Sequence, residues 1–299
     1  MAGNLGYETK FVIDATYTFD RPALDGGSIP AEELMRVTAA NLNEEFATVL
    51  STPEVVSAVA PTADRPPAPE RTRGPAVAWT GARLPARIAH SGRRVRLEPL
   101  DPAHAPALFA ATHEPVATGE LWAFLPYGPF ASSQELAAWI SQSSGDDPLF
   151  FALCCPASGQ ARGVASLMRI DPVHGVIEIG HIWLSPLIAR SAAATEGIFL
   201  LMQHAFDDLG YRRLEWKCDA LNARSRSAAQ RLGFRYEGTF RQAAVVNGRN
   251  RDTAWFSILD TEWPSVGGAL REWLHEDNFD HDGRQRRPLR EVRRRLRDA

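Results

Sequence analysis

The stretch VIEIGHIWL, residues 176–184, leads through SPLIARS, residues 185–191, into the apolar run AAATEGIFLLMQHAFDDLG, residues 192–210. The first stretch has the apolar, β-branched composition of a strand. The last is a long apolar segment that stops at Gly210, as a helix does at a C-terminal glycine. These residues predict a strand, a loop and a helix in direct succession.

The segments on either side alternate between strand-like and helix-like patterns. Upstream, we predict strands at residues 94–98, 149–155 and 163–170 and helices at 106–113 and 133–141; downstream, a strand at 213–218, a helix at 222–232 and strands at 234–241 and 253–259. This order predicts a mixed α/β (α+β) sheet with one central crossover after Leu184.

Composition narrows the class of protein. The chain of 299 residues is 44% hydrophobic and 23% charged and has a net charge of −3, which is ordinary for a globular protein and gives no reason to expect nucleic acid as a partner. No apolar run reaches the roughly 18 residues of a membrane span, and the N-terminus lacks a secretory pattern, so we expect a cytoplasmic protein that does not enter membranes. Its cysteines, Cys154, Cys155 and Cys218, lack metal-ligand spacing; we expect no metal, and we interpret Cys154 and Cys155 as small apolar strand residues.

Four regions are predicted. Residues 1–50 form an N-terminal extension with a strand at 10–19 and a helix at 30–50; it could dock on the main domain, pair with another chain or stay partly disordered. Residues 51–76 are a Pro/Ala-rich linker, residues 77–264 are the main domain, and residues 265–299 are a helical, Arg-rich tail whose basic run is typical of a solvated terminal helix.

Two places carry the candidate chemistry. The loop 185–191 delivers the chain into a helix N-terminus at Ala192, where free N–H groups favour a pyrophosphate, although most such junctions bind nothing. Asn222 and Ser225 open the next helix just past a strand, where they either cap that helix or face the same crevice.

Glu178 lies within an apolar strand. Burial would raise the pKa of its carboxyl and suit it to act as a general base. His181 is the alternative base, and on a regular strand the two side chains point to opposite faces unless a bulge intervenes.

Residues 177–264, with IEIGHIWLSP, LEWKCDALNARSRSAAQRLGF and TFRQAAVVNGRNRDTAWFSILDTEWP, resemble the RimJ/RimL-type GNAT acetyltransferases, and RVRLEPLDPAHAPALFAAT and LWAFLPYGPF resemble their N-terminal half. This resemblance implies a splayed mixed sheet that holds acetyl-CoA in a V between its two central strands. It also implies that acetyl passes directly to an amine.

The resemblance also implies roles for individual residues. The family's pyrophosphate loop, Q/R-x-x-G-x-G/A, falls on Ala189, Arg190, Ser191, Ala192, Ala193 and Ala194, and departs from the pattern at Ala189 and Ala192. Backbone groups of Ile182, Trp183 and Leu184 would bind pantetheine and the thioester. Asn222 and Ser225 would contact the CoA arm, with Ser225 serving the departing thiolate, and Glu178 would be the base.

The acceptor is left open between a small-molecule amine and a protein or peptide amine. Trp122 and Tyr127, in the aromatic segment 121–130, and His181 are our candidates for its pocket. Three further alternatives stay open: a non-catalytic acyl-CoA-binding regulatory module, an acyl chain longer than acetyl, and a homodimer.

Overall fold

A computed structural model of the chain describes residues 9–43, 45–59, 74, 76–113 and 119–297. The chain divides into two compact units, Met1–Val77 and Ala78–Ala299. The described elements of the first unit are β1 (Lys10–Val12), β2 (Arg21–Pro22), β3 (Ser28–Ile29), α1 (Ala31–Leu42), β4 (Thr48–Leu50) and α2 (Thr52–Val59). Strand β1 pairs in parallel with β4, and β2 pairs antiparallel with β3.

The first unit corrects two predicted elements. The strand predicted at residues 10–19 ends at Val12, because a 3-10 turn follows in which the Asp14 carboxylate accepts hydrogen bonds from the backbone N–H and the hydroxyl of Thr52, at 2.6 and 2.8 Å. The helix predicted at 30–50 ends at Leu42, and the Asn43 side chain accepts from the N–H of Val49 at 3.1 Å, which starts strand β4.

The predicted linker begins with a helix rather than an extended segment. Ser51 and Glu54 form reciprocal hydrogen bonds at the start of α2, with the Ser51 N–H donating to Glu54 Oε2 at 2.7 Å and the Glu54 N–H donating to Ser51 Oγ at 3.4 Å. This is a capping box, and its S-x-x-E spacing was available in the sequence. Residues 60–73 and 75 of the predicted linker lie outside the described residues.

The second unit alternates strands and helices in the predicted order. Its described elements are β5 (His90–Ser91), β6 (Arg96–Pro99), α3 (Ala105–His113), α4 (Gly119–Trp122), α5 (Ser133–Gln142), β7 (Leu149–Cys154), β8 (Ala161–Asp171), β9 (Val176–Leu184), α6 (Ala192–Gln203), β10 (Arg213–Asp219), α7 (Ala223–Leu232), β11 (Arg235–Val246), β12 (Arg249–Leu259), α8 (Trp263–Leu274) and α9 (Leu289–Arg297).

These strands form one open mixed sheet in the order β11-β12-β10-β9-β8-β7-β6-β5. Neighbours pair antiparallel throughout except β9 and β10, which are parallel and are joined by the crossover through α6. The single predicted crossover after Leu184 is therefore confirmed. Helix α6 passes into a π-helical turn at His204–Asp208 before Gly210, whose φ of 76° is left-handed.

Two hydrophobic clusters cover the sheet. One joins α6 and α8 to β9 and β10 through residues such as Ile179, Leu201 and Leu270. The other joins α3 and α5 to β7 through Leu108, Leu136 and other buried side chains. Apolar burial of this extent is the main term that stabilises the unit.

We predicted that the basic tail is a solvated helix, and this prediction is wrong: the tail is helical, but one face of it is buried. Leu289 and Val292 of α9 are each 2% exposed and belong to the first cluster. The Arg94 guanidinium donates to the Leu274 carbonyl at 2.8 Å and lies over the Phe279 ring. The two apolar residues Leu289 and Val292, three positions apart on one face of the helix, stand among arginines in the sequence, and they attach the tail to the core.

Candidate active site

Strands β9 and β10 separate after a short paired stretch. Their parallel register covers only Val176–Arg213, Ile177–Leu214 and Glu178–Glu215. Beyond Glu178, the edge of β9 that faces β10 has no strand partner in the described part of the chain. The two strands therefore open like a V toward their carboxyl ends, and the backbone groups along this edge of β9 are free to bond a ligand.

The V is part of a cavity of about 1810 Å³. Both strands, the loop before α6, the start of α7, the hairpin β11–β12 and the tail line it. Of the predicted site residues, the cavity is lined by Glu178, His181, Ile182, Trp183, Leu184, Ala189, Arg190, Ser191, Ala192, Ala194, Asn222 and Ser225. Most of the site residues that we predicted from the sequence therefore line a single cavity of the folded chain.

The loop before α6 is shaped by its own backbone. Arg190 has a left-handed φ of 61°, and Ser191 caps the helix by accepting from the Ala194 N–H at 3.1 Å. The first N–H groups of a helix have no intrahelical acceptor, so those of Ala192 and Ala193 are available for an anion. The Ala193 side chain lines a smaller surface concavity beside Arg93 and Arg94, outside the main cavity.

Asn222 and Ser225 combine capping with a place in the cavity wall. The Asn222 side chain accepts from the Ser225 N–H at 3.0 Å, so it caps α7 as one of our two interpretations predicted. The Ser225 hydroxyl accepts from Nε1 of Trp216 at 2.9 Å, so its own proton can donate either to the Cys218 sulfur beside it or to a ligand. Both side chains line the cavity as well, so capping and ligand contact are compatible here.

A β-bulge brings Glu178 and His181 into the same cavity. Val164 pairs with Trp183 and Ser166 with Gly180, so the residue between them on β8 faces two residues on β9. His181 is one of the two, with a left-handed φ of 49°. The bulge interrupts the regular alternation of side chains between Glu178 and His181, so the two side chains face the same cavity rather than opposite faces of the strand.

Glu178 is buried, at 4% exposure, between two cations. Its Oε2 lies 3.0 Å from Nε of Arg169 and 2.9 Å from Nζ of Lys217, although neither donor is aligned as a hydrogen bond. Burial raises the pKa of the Glu178 carboxyl, and the charges of Lys217 and Arg169 oppose that effect. Lys217 is itself shared with Glu215 at 2.7 Å, so its charge is divided between two carboxylates.

His181 stacks against Tyr127, and its Nδ1 lies 3.2 Å from the tyrosine hydroxyl. Burial, with the charges of Arg169 and Arg251, lowers the pKa of His181 to about 4. Burial also raises the pKa of Tyr127. Around neutral pH, therefore, the imidazole is neutral and the phenol keeps its proton, so the pair is a hydrogen-bonded, uncharged part of the wall.

The aromatic segment 121–130 lines the cavity with residues other than those we selected. Trp122 is 3% exposed and packs behind the wall against Trp183, with ring centroids 5.1 Å apart. Tyr127 reaches the cavity only through His181. The residues of this segment that do line it are Leu121, Ala123, Phe124, Leu125 and Pro126.

Sequence analysis missed the charged residues that surround Glu178. Lys217 and Glu215 alternate with apolar residues on β10. They are thus charged residues within a largely apolar strand, which is the same feature that marked Glu178 in the sequence. Arg169 turns toward Glu178 from a second bulge, where its φ is 49° and Asp147 accepts from its N–H at 2.8 Å. Arg251 of β12 also lines the cavity. No local pattern marked the two arginines.

The described residues include one group with the donor types of a metal site. Donor atoms of Glu98, His104 and Cys154 lie within 4.8 Å of one another, and these residues do not line the cavity. Nδ1 of His104 accepts from the Asp101 N–H at 3.1 Å, which places the proton of a neutral imidazole on Nε2, facing Glu98 at 3.4 Å. Burial raises the pKa of the Cys154 thiol to about 12. His104 therefore serves in the capping box that begins with Asp101, and Cys154 is a buried, protonated thiol beside it, which explains the group without a metal ion.

Cys155 corrects our interpretation of the cysteine pair. It lies just after β7 and is partly exposed, and hydrogen bonds from Ser158 and Ala157 lower the pKa of its thiol to about 7. Cys154 is a buried strand residue, as predicted, and the two neighbours differ because the strand ends between them.

Comparison with known proteins identifies the family. Residues 94–235 match the model of the acetyltransferase (GNAT) domain. A GCN5-related N-acetyltransferase from Brucella melitensis is 51% identical, covers 73% of this chain and 99% of its own, and superposes with a TM-score of 0.70. A probable acetyltransferase of the GNAT family from Chromobacterium violaceum is 42% identical, with coverages of 66% and 99% and a TM-score of 0.60. The chain belongs to the GCN5-related N-acetyltransferase (GNAT) family.

The curated relatives match over a shorter region. The ribosomal-protein-serine acetyltransferase of Escherichia coli is 31% identical over 101 residues, which is 33% of this chain. The chain spans a little over half the length of the curated relatives that it matches, 57% and 56% for two of them. The RimJ/RimL-like resemblance and the splayed sheet of the GNAT fold are thus confirmed.

Among the described residues, the helices are all too short or too polar to cross a membrane.

Proposed function

We propose that this protein transfers the acetyl group of acetyl-CoA to an amine, within the V between β9 and β10. The observation that carries the proposal is the short pairing of these strands, which stops at Glu178 and Glu215 and exposes a strand edge inside a large cavity. An extended pantetheine arm carries amide groups that match such an edge. Membership of the GNAT family, with acetyl-CoA as its cosubstrate, supports the same assignment.

The pyrophosphate of acetyl-CoA would bind at the N-terminus of α6. Ala192 and Ala194 line the cavity with small side chains, so a bulky anion can approach the backbone closely. Arg190 lines the same end and adds a positive charge. Backbone N–H groups do not depend on side-chain identity, so the departures from the family pattern at Ala189 and Ala192 are compatible with binding.

Chemistry in this site would be direct attack of a neutral amine on the thioester carbon. Glu178, directly or through one water, would accept the amine proton, and backbone N–H groups on the free edge of β9 would hold the developing oxyanion. The Ser225 hydroxyl, whose oxygen accepts from Nε1 of Trp216 at 2.9 Å, would donate a hydrogen bond to the departing thiolate. The proton that the amine gives to Glu178 would pass through solvent to that thiolate, so that CoA leaves as the thiol and Glu178 returns to its carboxylate form. His181, with a pKa lowered to about 4, is the weaker base of the two candidates.

The acceptor class that we favour is a protein or peptide amine. The support is the name of the Escherichia coli relative, a ribosomal-protein-serine acetyltransferase, at 31% identity. The cavity volume of about 1810 Å³ also exceeds that of an ordinary small-molecule pocket, as expected of a site that takes a chain end beside the cosubstrate. A small-molecule amine is the alternative, and the two differ in whether length beyond the amine improves turnover.

The test measures thiol release from acetyl-CoA with the full-length protein and a panel of amines. The panel contains amino acids, polyamines and peptides with free N-termini, together with propionyl-CoA and butyryl-CoA as longer donors. We expect release that depends on both acetyl-CoA and amine, with an acetylated product of matching mass. Saturable acetyl-CoA binding without amine-dependent release would favour the non-catalytic module, and absence of acetyl-CoA binding would overturn the proposal.

A further inference from the structure

Arg251 is a cation of the cavity that forms no ion pair with any residue that the structure describes. It lies on β12, it is half-buried, and it lines the cavity. Its Nε is buried and makes no hydrogen bond, and the described part of the chain offers its guanidinium no carboxylate within ion-pair distance. A buried donor without an acceptor costs free energy, so a folded protein that keeps one normally completes it with a ligand or water.

Asp252, which follows Arg251 in the chain, and two carboxylates of the cavity lining, Asp219 and Glu178, have other partners. Asp252 accepts from the Gln242 N–H at 2.8 Å and from Nδ2 of Asn250 at 2.9 Å, which holds the bulge in β11. Asp219 accepts from the Leu221 N–H at 2.8 Å. Glu178 is already within 3.0 Å of both Arg169 and Lys217. Within the described ranges of the chain, no carboxylate therefore compensates the charge of Arg251.

Arg251 lies close enough to His181, one of the two candidate bases, for its charge to act on that imidazole. Arg169 and Arg251 both lower the pKa of His181, so both charges act on that imidazole. Lys217, which contacts Glu178, has its Nζ 3.9 Å from the centroid of the Trp255 ring, and Trp255 lies on the same face of β12 as Arg251 and also lines the cavity. We refer to Arg169, Glu178, His181, Lys217 and Arg251 as the acceptor cluster.

The charge of the acceptor cluster is positive overall. Arg169, Lys217 and Arg251 give three positive charges, and Glu178 and Glu215, which both contact Lys217, give two negative charges. His181 is neutral because its pKa is lowered to about 4, so one positive charge is left over. Across the whole cavity lining, positive charges exceed negative ones: Arg169, Arg190, Lys217, Arg224, Arg231, Arg251 and Arg284 against Glu120, Glu178 and Asp219. Such a field attracts anions and repels a polyamine.

We propose that Arg251 binds an anionic group of the acceptor, so that the preferred substrate is an amine that carries a carboxylate. The planar guanidinium, with Nε and its terminal nitrogens, can bind a carboxylate through two parallel hydrogen bonds, which also satisfies the buried Nε. Arg169 adds a second positive charge near the same group. This inference rests on the proposed transfer to an amine and defines the class of amine.

The carboxylate that Arg251 would bind can belong to either of two acceptors: it is the α-carboxylate of an amino acid or a side-chain carboxylate of an acidic peptide. The experiment therefore uses matched pairs of acceptors that share the amine and differ in the anion. One arm compares α-amino acids with their amides. The other compares N-terminally free peptides that carry Asp or Glu with the same peptides carrying Asn or Gln.

We expect the wild-type protein to prefer the anionic member in at least one arm. In Arg251→Gln, the kcat/KM for that member should fall about ten- to a hundredfold, the loss typical of a hydrogen-bonded charge pair, mainly through the acceptor KM. The neutral member and the acetyl-CoA KM should change by less than about threefold, within the context-dependence of such contacts. Arg251→Lys should retain part of the preference, and Arg251→Glu should reverse it.

Arg249→Gln is the matched control, because Arg249 is exposed on the same strand and does not line the cavity. It should leave the preference unchanged. Equal use of anionic and neutral amines by wild type would overturn the inference while the transferase proposal stands, because acetyl transfer would still be observed. An equal rise in the acetyl-CoA KM and the acceptor KM in Arg251→Gln, with normal thermal stability, would also overturn it by assigning Arg251 to the cosubstrate.

Discussion

Glu178 and His181 face one cavity although they lie three positions apart on strand β9, because His181 adopts a φ of 49° at a bulge. Two candidate proton acceptors are thereby placed on the same side of the V. Their surroundings then separate them: burial raises the pKa of Glu178, whereas burial and two arginines lower the pKa of His181. This difference favours the carboxylate over the imidazole as the proposed base.

Replacing Glu178 by Gln should lower kcat by roughly 10²- to 10⁴-fold at about pH 7, the usual cost of losing a general base. The penalty should shrink toward about pH 9, where more of the amine is already neutral. Pre-steady-state or steady-state thiol release across this pH range measures it. His181→Asn is the comparison: a collapse of turnover in that variant, with Glu178→Gln near normal, would transfer the role of base to the histidine.

Asn222 offers a test that separates capping from binding. Asn222→Ala should destabilise the protein by about 1 kcal/mol through loss of the cap. Asn222→Asp keeps a carboxylate oxygen for the Ser225 N–H but loses the amide donors, so its stability should be normal. We expect both variants to raise the acetyl-CoA KM. A normal acetyl-CoA KM and kcat in both would reduce Asn222 to a cap.

Stability should fall as the pH drops from about 6.5 to about 4. Burial lowers the pKa of both His90 and His181 to about 4, below the value of 6.5 for an exposed imidazole. In that window the unfolded chain binds more protons than the folded protein, so protonation favours unfolding. Denaturant unfolding of wild type and of the His90→Gln, His181→Gln double variant measures the slope. An equally steep slope in the double variant would contradict this origin, because other titrating groups are common to both proteins.

Leu289 tests the attachment of the basic tail. It is 2% exposed in the main hydrophobic cluster, so Leu289→Ala should lower the free energy of unfolding by about 2–5 kcal/mol. The neighbouring Arg290 is exposed, and Arg290→Ala should change it by less than about 0.5 kcal/mol. Thermal or denaturant melts measure both. Equal free energies of unfolding for the two variants would contradict this attachment and would support a solvated tail helix, as its charge predicts.

Much of the fold was predictable because its signals are local. Strand β9 has the predicted bounds, and the glycine that stops the α6 segment and the Asn222 cap lie where the sequence indicated. The tail was not predictable, because its two buried apolar residues stand among arginines and only tertiary contact reveals their face. The first unit was mispredicted where side-chain hydrogen bonds, such as that from Thr52 to Asp14, override strand propensity.

The candidate site also contains residues that the sequence predicted and residues that it did not. The loop 185–191 and the pair Asn222 and Ser225 follow motif and spacing, so sequence alone located them. Arg251 and Arg169 reach the cavity through strand pairing and a bulge between segments distant in the chain, and no sequence period reports such contacts. Trp122 was predicted to line the cavity but packs behind its wall against Trp183, because an aromatic residue in such a segment suits either position and the sequence does not distinguish them.

The central claim, that acetyl-CoA lies in the V with its pyrophosphate at the start of α6, is tested most directly by calorimetric titration of acetyl-CoA into three proteins. Wild type should bind saturably at one site. Ala192→Asp should weaken binding by about tenfold or more, equivalent to about 1.4 kcal/mol, because a carboxylate would then face the pyrophosphate. Asp is favourable in the first turn of a helix, so that variant should keep its thermal stability, and Ala192→Asn should bind nearly as wild type. Absence of binding by wild type, or equal affinity in the folded Ala192→Asp variant, would contradict the account.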